Sequence, residues 1–247
     1  MAGQDKGQAP AAPVTDMAGA NAFPTGGARS GRLRLAVLAS GRGSNLQAIL
    51  GACADGRLDA QVVGVFSDRA DAPALQRARE AGVAAQALSP RHFPSRAEFD
   101  AALFAAVDEA RPDLVVCAGY MRLIGAAAIA PRSGRVINIH PSLLPAFKGL
   151  HTHRQALQAG VAEHGASVHF VTADLDGGPV IGQVRVPVLP GDDEAALAAR
   201  VLAREHPLLL ATLRLFARGD VMLREDGVHF ADGRAAPLQL SSNNRFA

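Results

Sequence analysis

Apolar runs of strand length alternate with longer amphipathic runs along most of the chain. "LRLAVLAS" is apolar on both faces, as suits a central strand of a parallel sheet covered by helices. "GRGSN" follows and opens the helical "LQAILGACADG". The order then repeats: strand "QVVGVFSD", helix "APALQRAREAG", a weaker strand "VAAQALS", a helix over residues 96–110, and strand "PDLVVCAG". Strand–helix alternation of this kind predicts a doubly wound α/β sheet. From Arg135 the spacing changes. "RVINIH" and "ASVHFVT" read as strands, with a helix held in "HTHRQALQAGVAEHG" between them. "PVIGQVRVPV" follows after only "ADLDGG", and two strands joined that tightly are expected to be antiparallel. "DDEAALAARVLAREHPLLLATLRLFARG" predicts one or two helices, with Pro207 near a break. The expected fold is therefore a single Rossmann-like domain over residues 33–240, mostly parallel, with an antiparallel C-terminal strand. Residues 1–32 are rich in Ala, Gly and Pro without apolar periodicity and read as a disordered tail. The final "SSNNRFA" reads as a frayed end.

Composition narrows the classes of function. Hydrophobic residues make up 49% of the 247, enough for a substantial core. The formal charge is +2 with both signs interspersed, and Trp is absent, so neither a basic footprint nor a stacking platform for nucleic acid is visible. No apolar run approaches the ~20 residues of a membrane span. Cys53 and Cys117 both sit in apolar stretches and read as core residues of a protein kept in a reducing compartment, the cytoplasm.

Two places carry candidate chemistry. In "ASGRGSNL" the glycines Gly41 and Gly43 stand between a strand and a helix, where backbone N–H groups and the positive helix end can cradle a phosphate. Ser44 and Asn45 suit capping and can also donate to a phosphate. A dinucleotide fingerprint would need a third Gly where Leu46 stands, although Asp68 lies where a ribose-binding acid is expected. The second place is "VINIHPSLLPAFKG". Asn138 and His140 are two apart on a strand and so share a face, and Pro141 ends that strand. Asp176, in "DLDGGPV", sits on a turn from which a carboxylate can approach an imidazole. An amide donor, an imidazole and a carboxylate suit acyl transfer: the first two stabilise an oxyanion, and the carboxylate is expected to raise the histidine's pKa and keep it charged near neutrality. Ser142 is the rival nucleophile but lacks a G-x-S-x-G elbow. His151, His153, His164 and His169 raise the question of a metal, but no ligand spacing among them is diagnostic and no metal is expected.

The segments "LASGRGSNLQAI", "CAGYMRLI", "INIHPSLLPAFKGLHTHRQAL" and "EHGASVHFVTADLDGGPVI" resemble the phosphoribosylglycinamide formyltransferases, folate-dependent enzymes of purine synthesis, over residues 33–221. The resemblance implies that 10-formyltetrahydrofolate serves as co-substrate and the amino group of glycinamide ribonucleotide as acceptor. It implies catalytic roles for Asn138 (holding the formyl oxygen), His140 (stabilising the oxyanion and donating a proton) and Asp176 (holding His140 charged). Gly43, Ser44 and Asn45 would bind the ribonucleotide, mainly its phosphate, and Glu205 would grip its glycinamide end. On pattern alone, Glu205 is a helix-surface charge. Arg96, Met121, Arg122, Leu123 and Ile124 would line the folate pocket, to which Asn138 also belongs, with the segment Thr172, Ala173, Asp174, Leu175 and Asp176 closing it over the pterin. Only small-molecule partners are implied, with the protein a monomer or homodimer. The alternatives are formyltetrahydrofolate hydrolase or another folate-dependent formyltransferase. A non-catalytic binding protein on the same fold would not need all three of Asn138, His140 and Asp176.

Overall fold

The structure, a computed structural model, describes residues 31–246. The tail expected at 1–32 therefore lies, up to residue 30, outside the described residues. The elements in chain order begin β1 (Leu33–Leu38), α1 (Ser44–Ala54), β2 (Ala60–Ser67), α2 (Pro73–Glu80), β3 (Ala85–Ala87) and α3 (Arg96–Glu109). Next come β4 (Leu114–Cys117), the short α4 (Ala126–Ile129), β5 (Val136–His140), α5 (Thr152–Ala159), β6 (Glu163–Phe170) and β7 (Val180–Pro187). The long α6 (Glu194–Arg218) is followed by β8 (Val221–Arg224), β9 (Gly227–Phe230) and β10 (Leu238–Gln239).

Eight strands form one sheet in the order β10-β7-β6-β5-β4-β1-β2-β3, and β8 and β9 form a separate antiparallel pair. From β3 to β5 every neighbour is parallel. β6 runs antiparallel to both β5 and β7, and β10 pairs parallel with β7. The doubly wound sheet and the antiparallel β6–β7 connection are both as expected. The single reversed strand is β6 rather than the last one, so β7 resumes the direction of β5.

Apolarity on both strand faces is explained by two core layers. Leu33, Leu35, Val37 and Ala39 of the first strand region enter a core with α1, α2 and α6, whereas Ala36 and Leu38 enter a second core with α3 and α4. Each fully buried Leu or Val contributes roughly 1.5–3 kcal/mol relative to exposure, so a one-residue slip of β1 would be costly. α6 is one continuous helix despite Pro207. Its buried stripe, including Leu197, Val201, Leu208, Leu209, Leu213 and Phe216, outweighs the one hydrogen bond that proline removes. The carbonyl that would have accepted it belongs to exposed Ala203 and can turn to water.

The order of the chain reverses between β1 and β4, which are neighbours. Doubly wound sheets bind ligands beyond the carboxyl ends of strands at such a switch point. The glycine loop leaves β1 there, and residues 118–125 leave β4. The two exits are tied: Ser40 N–H donates to the Gly119 carbonyl (3.0 Å), and Met121 N–H donates to Ser40 Oγ (3.0 Å). Asp68, the candidate ribose acid, instead accepts from Ser40 Oγ (2.6 Å).

The frayed end expected at "SSNNRFA" is corrected by the fold. Leu240 bridges Phe246, Ser241 N–H donates to the Arg245 carbonyl, and Arg204 donates to Asn244 Oδ1. The Phe246 ring lies against Gly182 of β7, where an added Cβ would come within 2.8 Å of ring atoms. Polar composition suggested fraying, but the ring anchors the segment. Gly182→Val is expected to leave the sheet folded and displace this ring, because the ring is the movable partner. Limited trypsin digestion should then cut at Arg234 and Arg245 well before the rest of the chain.

Candidate active site

β5 carries Asn138 and His140 to its carboxyl end on one face, and β6 lies opposite in register. Asn138 faces His169, and His140 faces Ser167. His140 is buried at 5% exposure. Its Nε2 donates to the Phe147 carbonyl (3.0 Å), and its Nδ1 faces Asp176 Oδ2 at 3.5 Å. A carbonyl can only accept, so in the neutral ring Nε2 carries the hydrogen and Nδ1 is the nitrogen open to a proton. Asp176 sits at φ +44° on the turn after β6. Its Oδ2 also accepts from Gly149 N–H (2.9 Å), and its Oδ1 lies 3.6 Å from His169 Nε2.

His169 Nδ1 donates to the Phe170 carbonyl (2.9 Å). Its Nε2 therefore accepts one hydrogen of the Asn138 amide at 3.1 Å, and the second amide hydrogen remains for a substrate oxygen. Ser167 did not stand out in the sequence, and His169 was weighed there only as a possible metal ligand. The usable signal was their i, i+2 spacing: two polar residues on one face of an otherwise apolar strand.

The electrostatics correct one expectation. Burial is the largest influence on His140 and takes it below its ordinary value; the Phe147 carbonyl and Asp176 offset only part of this, and His169 adds to the lowering. The resting imidazole is therefore not held charged near neutrality. Burial alone would raise the Asp176 carboxyl. The facing His169 ring, the Gly149 N–H that donates to the carboxylate and the neighbouring His140 ring together outweigh burial and hold it below the ordinary range. Ser142, the rival nucleophile, is buried and donates its hydroxyl to the Ala146 carbonyl (2.7 Å), a loop-closing role.

The glycine loop lies at the carboxyl end of β1, on the same edge of the sheet as the end of β5. Gly43 has φ +74° and caps α1, and a Cβ there would come within 2.8 Å of Ala74 Cβ. α2 clamps the loop through Ala74 N–H to the Gly41 carbonyl (3.2 Å) and Arg77 Nε to the Arg42 carbonyl (2.8 Å). Ser44 and Asn45 are the first residues of the helix rather than its caps, so their N–H groups lack intrahelical acceptors and suit an anion. Asn45 Nδ2 donates to Glu205 Oε2 (2.8 Å), and Asn45 Oδ1 is buried without a partner. Glu205 is not a surface charge: it is 8% exposed, and burial raises its carboxyl despite the Asn45 hydrogen bond. The helical pattern read it as a surface position, and only packing of α6 on α1 turned that face inward.

The candidate folate segments are mixed in character. Ile124 is buried, Met121 and Leu123 are exposed apolar residues, and Arg122 stacks on Phe99 at 5.2 Å. Gly125 N–H donates to buried Asp100 Oδ2 (2.8 Å) on α3, the helix that begins at exposed Arg96. Thr172 is half-buried, and Ala173, Asp174 and Leu175 are exposed on the turn that carries Asp176.

The sequence profile of the formyl transferase family matches residues 33–213. The chain belongs to this family. It is 48% identical over 207 residues to the phosphoribosylglycinamide formyltransferase of Escherichia coli (strain K12), covering 84% of this chain and 97% of that one. It is 41% identical over 196 residues to the human trifunctional purine biosynthetic protein adenosine-3, covering 79% of this chain and 19% of the human protein. Among solved structures, glycinamide ribonucleotide transformylase 1 from Symbiobacterium toebii superposes with a TM-score of 0.79 at 48% identity, covering 82% of this chain and 95% of that one.

For a formyl transferase, the gathered groups are an amide donor, an imidazole and a carboxylate at the end of β5, on the same carboxyl edge of the sheet as the glycine loop that opens α1. Among the described residues no group of three or more His, Cys, Asp or Glu is placed to hold a metal ion, and no helix is long and apolar enough to cross a membrane. Of the histidines weighed as ligands, His151 is exposed at the start of α5, and His164 is fully buried against His153 and Phe147.

Two outcomes are expected. Asp176→Asn removes a charge that raises His140, so an NMR titration should find the His140 ring titrating at lower pH than in wild type. His164 has no hydrogen-bond partner on either ring nitrogen, and burial pushes it down to about 4. The Pro141 carbonyl lies near but outside hydrogen-bonding geometry and offsets only part of this. Above the ordinary value of 6.5 both folded and unfolded states are neutral; below it the unfolded chain takes the proton first. Stability should therefore fall as pH drops from 6.5 toward 4, by up to about 3 kcal/mol from this group, and His164→Leu should flatten that part of the unfolding curve.

Proposed function

We propose that this chain transfers the formyl group of 10-formyltetrahydrofolate to the amino group of glycinamide ribonucleotide, as an enzyme of purine synthesis in the cytoplasm. One observation carries the reading: Asn138, His140 and Asp176 converge at the end of β5, with His140 held between a carbonyl and a carboxylate. Family membership and the 48% identity across nearly the whole Escherichia coli phosphoribosylglycinamide formyltransferase support it.

In this mechanism the substrate's amine attacks the formyl carbon, and the formyl oxygen gains negative charge. The free hydrogen of the Asn138 amide donates to that oxygen, and the Nε2–H of His140, shared with the Phe147 carbonyl, supports it from the other side. The growing negative charge raises the pKa of the buried imidazole. Nδ1, beside Asp176, then takes the proton the amine loses, and the ring returns it as the bond to the folate nitrogen breaks. The products are N-formylglycinamide ribonucleotide and tetrahydrofolate. A resting ring lowered by burial fits this sequence, because it is ready to accept a proton rather than already holding one.

The ribonucleotide phosphate sits on the N–H groups of Gly43, Ser44 and Asn45. Glu205 and the unpartnered Asn45 oxygen receive the amino end. The folate lies along Met121, Arg122, Leu123 and Ile124, with Arg96 at the mouth and Thr172, Ala173, Asp174 and Leu175 over the pterin. Flat heterocycles are commonly held by apolar walls and a few placed polar groups, and this segment offers both.

Absorbance assays with 10-formyltetrahydrofolate should show turnover only when glycinamide ribonucleotide is present. Turnover without it would identify a hydrolase instead. His140→Ala should lower kcat by about 10²–10⁴ while ribonucleotide binding, measured by calorimetry, persists. Glu205→Gln should raise KM for the ribonucleotide by roughly tenfold or more, since a charge-assisted contact is worth about 1.5–3 kcal/mol.

A further inference from the structure

The loop that follows His140, residues 141–149, carries both the Phe147 carbonyl that accepts from the imidazole and the Gly149 N–H that donates to Asp176. Its own seat is built from two buried side chains on neighbouring strands. Ser167 of β6 is fully buried: its Oγ accepts from Leu144 N–H (3.0 Å) and donates to the Ser142 carbonyl (2.7 Å). Gln183 of β7 is 4% exposed: its Nε2 donates to the Leu144 carbonyl (2.8 Å) and to Ser167 Oγ (2.9 Å). Both hydrogens of the Gln183 amide are thus used, and Ser167 donates once and accepts twice. Three backbone groups of the loop end on this one pair.

Gln183 is itself held from outside the segment that matches the family profile. Leu240 N–H donates to the Gln183 carbonyl (2.8 Å), and Gln239 Nε2 reaches its side-chain oxygen at 3.5 Å. The C-terminal strand β10 therefore backs the strand residue that backs the loop.

We propose that Gln183, acting through Ser167, is a positioning residue for formyl transfer: the pair sets the height of loop 141–149 and with it the orientation of His140. Gln183 does not touch the reacting groups. It acts because a buried amide that satisfies three partners fixes them relative to one another, and a loop released from it is free to shift. Shifts of the order of 1 Å at a catalytic group cost up to about 10²-fold in rate. The ribonucleotide phosphate seat on β1 and α1 lies on other elements and is not tied to this pair.

The inference rests on the formyl-transfer reading of His140, and the experiment separates the two. Gln183→Met keeps length and apolar volume but removes both donated bonds. Wild type and variant are compared in kcat, in KM for each substrate and in the pH profile of kcat/KM, with the folded fraction fixed by circular dichroism. The expected result is a fall in kcat of about 10-fold to 100-fold, with KM for glycinamide ribonucleotide within about twofold of wild type. The pH limb that belongs to His140 should move upward as the loop exposes the ring. Should Gln183→Met not fold, Ser167→Ala removes the same seat from the other strand and is read in its place. Adding the second substitution to the first should cost little more, because both break one unit.

A folded Gln183→Met, or a folded Ser167→Ala, with wild-type kcat and an unmoved pH limb would overturn the inference and leave the function standing. Full additivity of the two losses would overturn it as well. Absence of formyl transfer in wild type would sink the functional reading itself.

Discussion

One buried imidazole facing two acceptors organises the candidate site. His140 has the Phe147 carbonyl on one nitrogen and the Asp176 carboxylate on the other, and neither acceptor lies on its own strand. Holding them there requires the reversed strand β6, because Asp176 sits on the turn that leaves it and His169 projects from it. It also requires a loop that turns back over the strand end within a few residues. Phe147 and His151 have φ of +53° and +59°, conformations that L residues rarely adopt and that persist where the surroundings over-determine them.

Burial sets the resting state of each charged group. Removal from water lowers His140 and raises Glu205, so both are pushed toward their neutral forms. Of the three, Asp176 is the one held charged, by the Gly149 N–H it accepts from and the two imidazoles beside it. The site thus keeps one fixed anion and two groups whose charge responds to what binds. That suits a reaction in which a proton must leave one nitrogen and reach another without a permanent ion pair locking it in place.

Much of the fold and the core of the site were legible in the chain. Strands apolar on both faces implied a sheet covered on both sides, and β1 divides its residues between two cores as that pattern requires. Asn138 and His140 were legible because i, i+2 spacing on a strand is a geometric fact, and the glycine loop because Gly43 must take positive φ. What was misjudged depended on distant partners. Pro207 reads as a break until the apolar stripe of α6 is seen packed on the sheet. The C-terminal polar run reads as loose until Phe246 finds Gly182.

The sequence by itself therefore determined the doubly wound class, the resemblance to formyltransferases and the residue types of the candidate trio. These rest on local periodicity and on short motifs, which need no third dimension. Only the tertiary structure decided that β6 is the single reversed strand, that Glu205 faces inward to Asn45, and that His169 belongs beside Asn138 and Asp176. It alone decided the sign of the His140 shift. A neighbouring carboxylate raises a histidine and burial lowers it, and which one wins depends on how much protein surrounds the ring.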